Sequence, residues 1–147
     1  MSLAKLSNVL KIFRGEEATK EECEECFKEA LLMTLARATS ADSNIASVEV
    51  TKVAALLEKR TGEAVTEADI RVAANSELYE TAPLDKYLSG ITARLSQRQR
   101  AIIANSLADI IRSDEGVREA EIDYFNRVAK ALNLSHAEVA GLISDSP

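Results

Sequence analysis

Apolar residues recur at helical spacing through nearly the whole chain, in stretches separated by short polar breaks. Leu3, Leu6, Val9, Leu10 and Phe13 set the first stripe and predict an amphipathic helix over residues 3–14, which Gly15 ends. A polar run from Glu16 to Lys20 leads into a long helix over about 21–39, carried by Phe27, Leu31, Leu35 and Ala38. The next helix, from about Val48 to Lys59, has Val53, Leu56 and Leu57 on its apolar side, and Gly62 fits the left-handed position that closes a helix. Thr66-Glu-Ala-Asp69 reads as a capping box for a shorter helix through Ile70 and Ala73. Pro83 starts another short helix, with Leu84, Tyr87, Leu88 and Ile91 on one side. Ser96-Gln-Arg-Gln99 is a second box and opens a helix to about Arg112. The helix after it carries Ile122, Phe125, Val128, Ala129 and Leu132 as its apolar set. Ser135-His-Ala-Glu138 caps a last short helix, Val139 to Ile143.

The order repeats: long helix, acidic break, helix, turn, capped short helix. Leu31, Leu35, Ala38 and Asp42 correspond at a fixed offset of 72 to Ile103, Leu107, Ile110 and Asp114. Val50, Val53 and Leu56 correspond in the same way to Ile122, Phe125 and Val128. A match of this extent points to internal duplication. The expected architecture is all-α: one domain over residues 1–147, a compact bundle of about seven to eight helices. It would be built from units at about 21–80 and 93–147, with the amphipathic helix 3–14 preceding them.

Composition agrees and narrows the partners. The 147 residues are 46% hydrophobic and 29% charged, with only 5 Gly and 2 Pro, a globular helical balance. The net charge of −6 lacks the basic excess that drives phosphate-backbone binding, so no nucleic-acid partner is expected. Arg94, Arg98 and Arg100 form a local basic cluster without aromatic company, read as a solvated helix face. No stretch approaches the ~20 apolar residues of a membrane span and no signal peptide is evident, which points to the cytoplasm. The helix 3–14, with Lys5, Lys11 and Arg14 on its polar side, could lie on a membrane surface, but packing on the domain is favoured. Cys23-Glu-Glu-Cys26 has neither a second Cys pair nor a nearby His. Its flanking carboxylates would raise a thiol pKa, so buried, inert thiols are expected.

The candidate chemistry lies in the two acidic breaks. Asp42-Ser-Asn44-Ile45-Ala-Ser-Val-Glu49 and Asp114-Glu-Gly116-Val117-Arg-Glu-Ala-Glu121 share the pattern D-x-[N/G]-[I/V]-x-x-x-E. Asp42 and Asp114 continue the buried stripe of the helix before them, and Glu49 and Glu121 head the stripe of the helix after. Each loop should therefore aim two carboxylates inward or toward the rim of the domain. One compensation is local capping of backbone N–H groups. The other is a divalent cation held by Asp42, Asn44, Glu49, Asp114 and Glu121, with Ca or Mg favoured over Zn because the donors are hard oxygens. An EF-hand is excluded, because its closing bidentate Glu would fall on Val53 and Phe125.

The paired Asp-x-[Asn/Gly]-[Ile/Val]-x-x-x-Glu loops, each between apolar helices, resemble those of the TerB-like domain of tellurite-resistance proteins. The resemblance covers roughly residues 21–147. The family's usual loop reads Asp-Gly, then a hydrophobic residue and a later Glu; Ser43-Asn44 and Glu115-Gly116 depart from it by shifting the small turn residue one place. The resemblance implies an all-helical bacterial cytoplasmic domain, metal binding through those acids, and a part in stress response or as an interaction module with a protein partner. The expected function is non-catalytic. Two alternatives are a metal-dependent hydrolase using the four loop carboxylates and a membrane-surface adaptor acting through the amino-terminal helix.

Overall fold

The structure, a computed structural model, describes residues 5–39, 49–112 and 119–135. Among these residues the chain forms eight α-helices, a 3-10 turn at Thr92–Arg94 and no strand. The helices are α1 (Ser7–Phe13), α2 (Lys20–Ala38), α3 (Val50–Thr61), α4 (Glu67–Ala74), α5 (Leu78–Thr81), α6 (Leu84–Ile91), α7 (Gln97–Arg112) and α8 (Glu119–Ala131). The all-α bundle expected from periodicity is what the chain forms.

Helix α2 is the centre. Every residue from Ala30 to Ala36 is buried, so this stretch of the helix is enclosed on all sides rather than along one stripe. Helices α1, α3, α4, α6 and α7 pack around it, and α8 closes the far side on α6 and α7. Thr34 on α2 and Ser106 on α7, which stand at the same 72-residue offset, are both fully buried, and neither hydroxyl oxygen finds a hydrogen-bond partner. The Thr34 carbonyl does: it accepts a 2.8 Å bond from the Tyr124 hydroxyl of α8.

Local signals set most helix ends. The boxes at Thr66/Asp69 and Ser96/Gln99 form with both reciprocal bonds in place. Gly62 takes φ +75° and its N–H bonds the Glu58 carbonyl, and Gly15 takes φ +81° after α1. A further box, Thr19 with Glu22, starts α2 one residue before the expected place. Helix α1 begins at Ser7, because Leu6 is left-handed (φ 53°) and the helical path cannot run back through it; the expected start at Leu3 lies outside the described residues. Leu6 is nevertheless fully buried, as are Val9 and, nearly so, Ile12. The apolar side of the amino-terminal helix is thus spent on α2 and α6. The expected helix at 139–143 lies outside the described residues.

Arg100 departs from the solvated face expected of the basic cluster. Its guanidinium donates to the Leu132 and Asn133 carbonyls (3.0 and 3.3 Å), taking up acceptors left open at the end of α8. Arg94 and Arg98 are exposed, as expected.

Candidate functional site

Of the five acidic-loop residues, Asp42, Asn44 and Asp114 lie outside the described residues. The two glutamates that close the loops are described, and their surroundings differ. Glu49 is the N-cap residue of α3, exposed, and its side chain makes no capping bond. Its backbone is extended (φ −93°, ψ 136°), so it does not continue the helical phase of Val53, which the inward placement assumed. Glu121 lies inside the first turn of α8 and follows the phase of Phe125; it is 1% exposed. One glutamate is therefore in solvent and the other in the core.

They also sit on different helices. Lys28 of α2 pairs with Glu63 just beyond α3 (3.1 Å), so α3 runs back along α2. Arg60 in the last turn of α3 pairs with Asp109 in the last turn of α7 (2.9 Å), and Asp109 also holds Arg112 (3.1 Å). Glu49 stands at the opposite end of α3, about 16 Å from Arg60 along a helix rising 1.5 Å per residue. Glu121 belongs instead to the α7–α8 corner, where it shares a groove with Ala108, Ile111 and Arg112. That groove, of about 230 Å³, is also lined by Ile122, Phe125 and Asn126. Ile122, expected on the core side with Phe125 and Val128, is instead 48% exposed. The arc of α8 that α6 and α7 cover takes Glu121, Phe125 and Val128, and Ile122 falls at its edge. Among the described residues no three or more His, Cys, Asp or Glu side chains stand close enough together to hold a metal ion.

A carboxylate that spacing arguments did not single out has the more elaborate setting. Glu29 of α2 is 3% exposed. Its Oε1 accepts the backbone N–H groups of Asn8 (2.9 Å) and Val9 (3.0 Å), and its Oε2 accepts the Asn8 amide (2.6 Å). These are first-turn donors of α1, whose own N-cap position, Leu6, offers no side-chain acceptor. Glu29 caps α1 from another helix. Burial raises its pKa, and the bonds from Val9 and Asn8 offset only part of that rise. The signal was present in sequence, since Glu29 shares a helical face with Cys26 and Met33. Farther along α1, Lys11 pairs with Glu22 at 2.7 Å. That bond raises the Lys11 pKa and, with the Thr19 backbone bond, lowers that of Glu22. At the end of α1 the Phe13 ring stacks on Tyr87, with centroids 4.5 Å apart.

The cysteines behave largely as expected. Cys26 is buried, and desolvation first, then Glu29 and Cys23, push its thiol pKa up to about 12. The neighbouring charge responsible is Glu29, not the flanking Glu24 and Glu25. Cys23 is only half-buried, and both are free thiols.

No helix among the described residues is long and apolar enough to cross a membrane. No curated protein and no solved structure matches the chain. The sequence model of one family, described as tellurite resistance protein TerB, matches residues 28–142, from the first half of α2 to beyond α8. With an all-helical bundle built around that segment, the chain belongs to the TerB family of tellurite-resistance proteins.

Proposed function

We propose that this tellurite-resistance domain is non-catalytic. In this reading it binds a divalent cation or a protein partner through its acidic loops, in the bacterial cytoplasm under stress or tellurite exposure. The residues concerned are Asp42, Asn44 and Glu49 in one loop and Asp114 and Glu121 in the other. The supporting observation is the state of Glu49. It occupies the N-cap position of α3, where a short polar side chain would bond the helix, yet it leaves its helix alone and stands in solvent. Such a carboxylate is free to serve an external cation or cationic group. Oxygen donors of this kind favour Ca or Mg over Zn. Each loop acts as a site completed by water. That arrangement is of modest affinity, since Ca takes about 6–8 oxygens.

Calorimetric titration with Ca, Mg, Mn and Zn tests the reading. Binding is expected to be lost from one loop in Asp42→Ala and from the other in Asp114→Ala. Absence of any response below millimolar ion refutes the cation reading. The hydrolase alternative asks four carboxylates to converge on one or two ions, and the unlike settings of Glu49 in solvent and Glu121 in the core speak against it. The membrane-surface alternative asks for the apolar side of α1, which α2 and α6 already cover.

A further inference from the structure

The exposed Ile122 has neighbours that give it a role. The solvent-facing residues of α8 are Glu119, Ile122, Asp123, Asn126, Arg127 and Lys130. At about 100° per residue they form one contiguous stripe. Ile122 and Asn126 lie on its flank toward the α7–α8 groove, and Asp123 and Arg127 lie on the other flank. The acids occupy the first half of the stripe and the bases the second. Among the described residues none of these four charged side chains enters an ion pair within the chain.

We propose that the chain self-associates through this face, two copies packing their α8 helices antiparallel about a two-fold axis between Asp123 and Asn126. In that register Glu119 faces Lys130 of the partner subunit and Asp123 faces Arg127 of the partner subunit, and symmetry makes each pair twice. A parallel pairing would set acid on acid and base on base, so the charge order selects the antiparallel one. A two-fold axis crossing the helices in the plane of contact leaves left and right unchanged, so groove meets groove and charged flank meets charged flank. Ile122 of each copy then comes over Asn126 and the open, largely apolar groove of the other, and the exposed knob and the groove satisfy one another. The surface is small: α8 has 13 residues, about 20 Å of helix, which is less than the ~800 Å² per partner of a standard interface requires. The dimer is accordingly of micromolar strength and weakened by salt. This association does not depend on the acidic loops or on a bound cation.

Sedimentation equilibrium of the full chain, from micromolar to millimolar concentration at low and high salt, tests the proposal. The mass is expected to rise with concentration from 16.0 kDa toward twice that value. Ile122→Asp is expected to weaken association ~10-fold or more, the equivalent of about 1.4 kcal/mol. Asp123→Arg and Arg127→Asp are each expected to weaken it by ~3-fold or more, and the double variant to recover most of the loss, because the swap restores opposite charges across the axis. Far-UV circular dichroism and urea melts establish that each variant is folded. A chain that stays monomeric throughout, a dimer indifferent to Ile122→Asp, or a double variant no tighter than its singles would each overturn the proposal.

Discussion

Glu29 gives the sharpest test of how the amino-terminal helix is held. In Glu29→Ala the backbone N–H groups of Asn8 and Val9 and the Asn8 amide all lose their acceptor at a position 3% exposed. A buried donor left without a partner costs ~1–3 kcal/mol. Solvent reaches the first turn of α1 once it loosens, so the low end applies to each of the three, and the expected loss is about 3–5 kcal/mol. Removing a costly buried charge offsets part of this, consistent with the raised pKa of Glu29. Glu29→Gln should cost far less, about 1 kcal/mol. Its carbonyl oxygen can still accept both backbone groups, and the Asn8 amide can turn its oxygen toward the new NH₂. For a domain of this size 1 kcal/mol moves Tm by roughly 2–4 °C, so the alanine variant should melt about 6–20 °C lower and the glutamine variant within a few degrees of wild type. Urea melts give the free energies, and hydrogen exchange at residues 8 and 9 reports the local effect, with faster exchange in the alanine variant. An alanine variant within 1 kcal/mol of wild type with unchanged exchange at those amides would refute the cross-helix cap. A glutamine variant as damaged as alanine would show that charge rather than bonding geometry holds α1.

The two carboxylates on α2 that fasten α1 give opposite pH dependences. The lowered pKa of Glu22 means that its contribution is present above its ordinary value of 4.5 and lost as pH falls through the depressed folded value. The raised pKa of Glu29 gives a contribution that is full below the unfolded value and lost as pH rises through the folded one. Urea melts across pH 3–7 are therefore expected to lose their high-pH decline in Glu29→Gln and part of their low-pH decline in Glu22→Gln. Gly90→Ala places a Cβ 2.6 Å from Cδ1 of Phe13. The ring must move off Tyr87, at an expected ~1–2 kcal/mol, and Phe13→Leu in the same chain should recover part of it; equal stability of wild type and Gly90→Ala would count against that packing. Cys26, buried and with its pKa near 12, should resist thiol reagents at neutral pH until the protein unfolds, while half-buried Cys23 reacts first; mass spectrometry of peptides after timed labelling decides this.

Reading the chain by period and caps located the helices because those signals are local. A Thr, Ser or Asp three residues from an acceptor partner, or a Gly able to take positive φ, acts within one turn of backbone and needs no knowledge of the rest. The box at Thr19-Glu22 was equally legible. Phase arguments fared worse at helix edges. Glu49 left the expected face because an N-cap residue is not helical, and Ile122 because the covered arc of α8 ended one residue short of it.

The sequence by itself determined that the chain is all-helical, where most helices begin and end, and that two matched acidic signatures interrupt the pattern. Only the tertiary structure decided that the stretch of α2 from Ala30 to Ala36 is enclosed on every side and that, of the glutamates closing those signatures, one stands in solvent and one is buried. It also decided that Glu29 caps a helix some twenty residues earlier in the chain. The division follows from range. Helix formation and capping are settled by neighbours within four residues. Burial, pKa and the partner of a carboxylate depend on which surfaces meet across the bundle, and the helical period of a single element leaves that open.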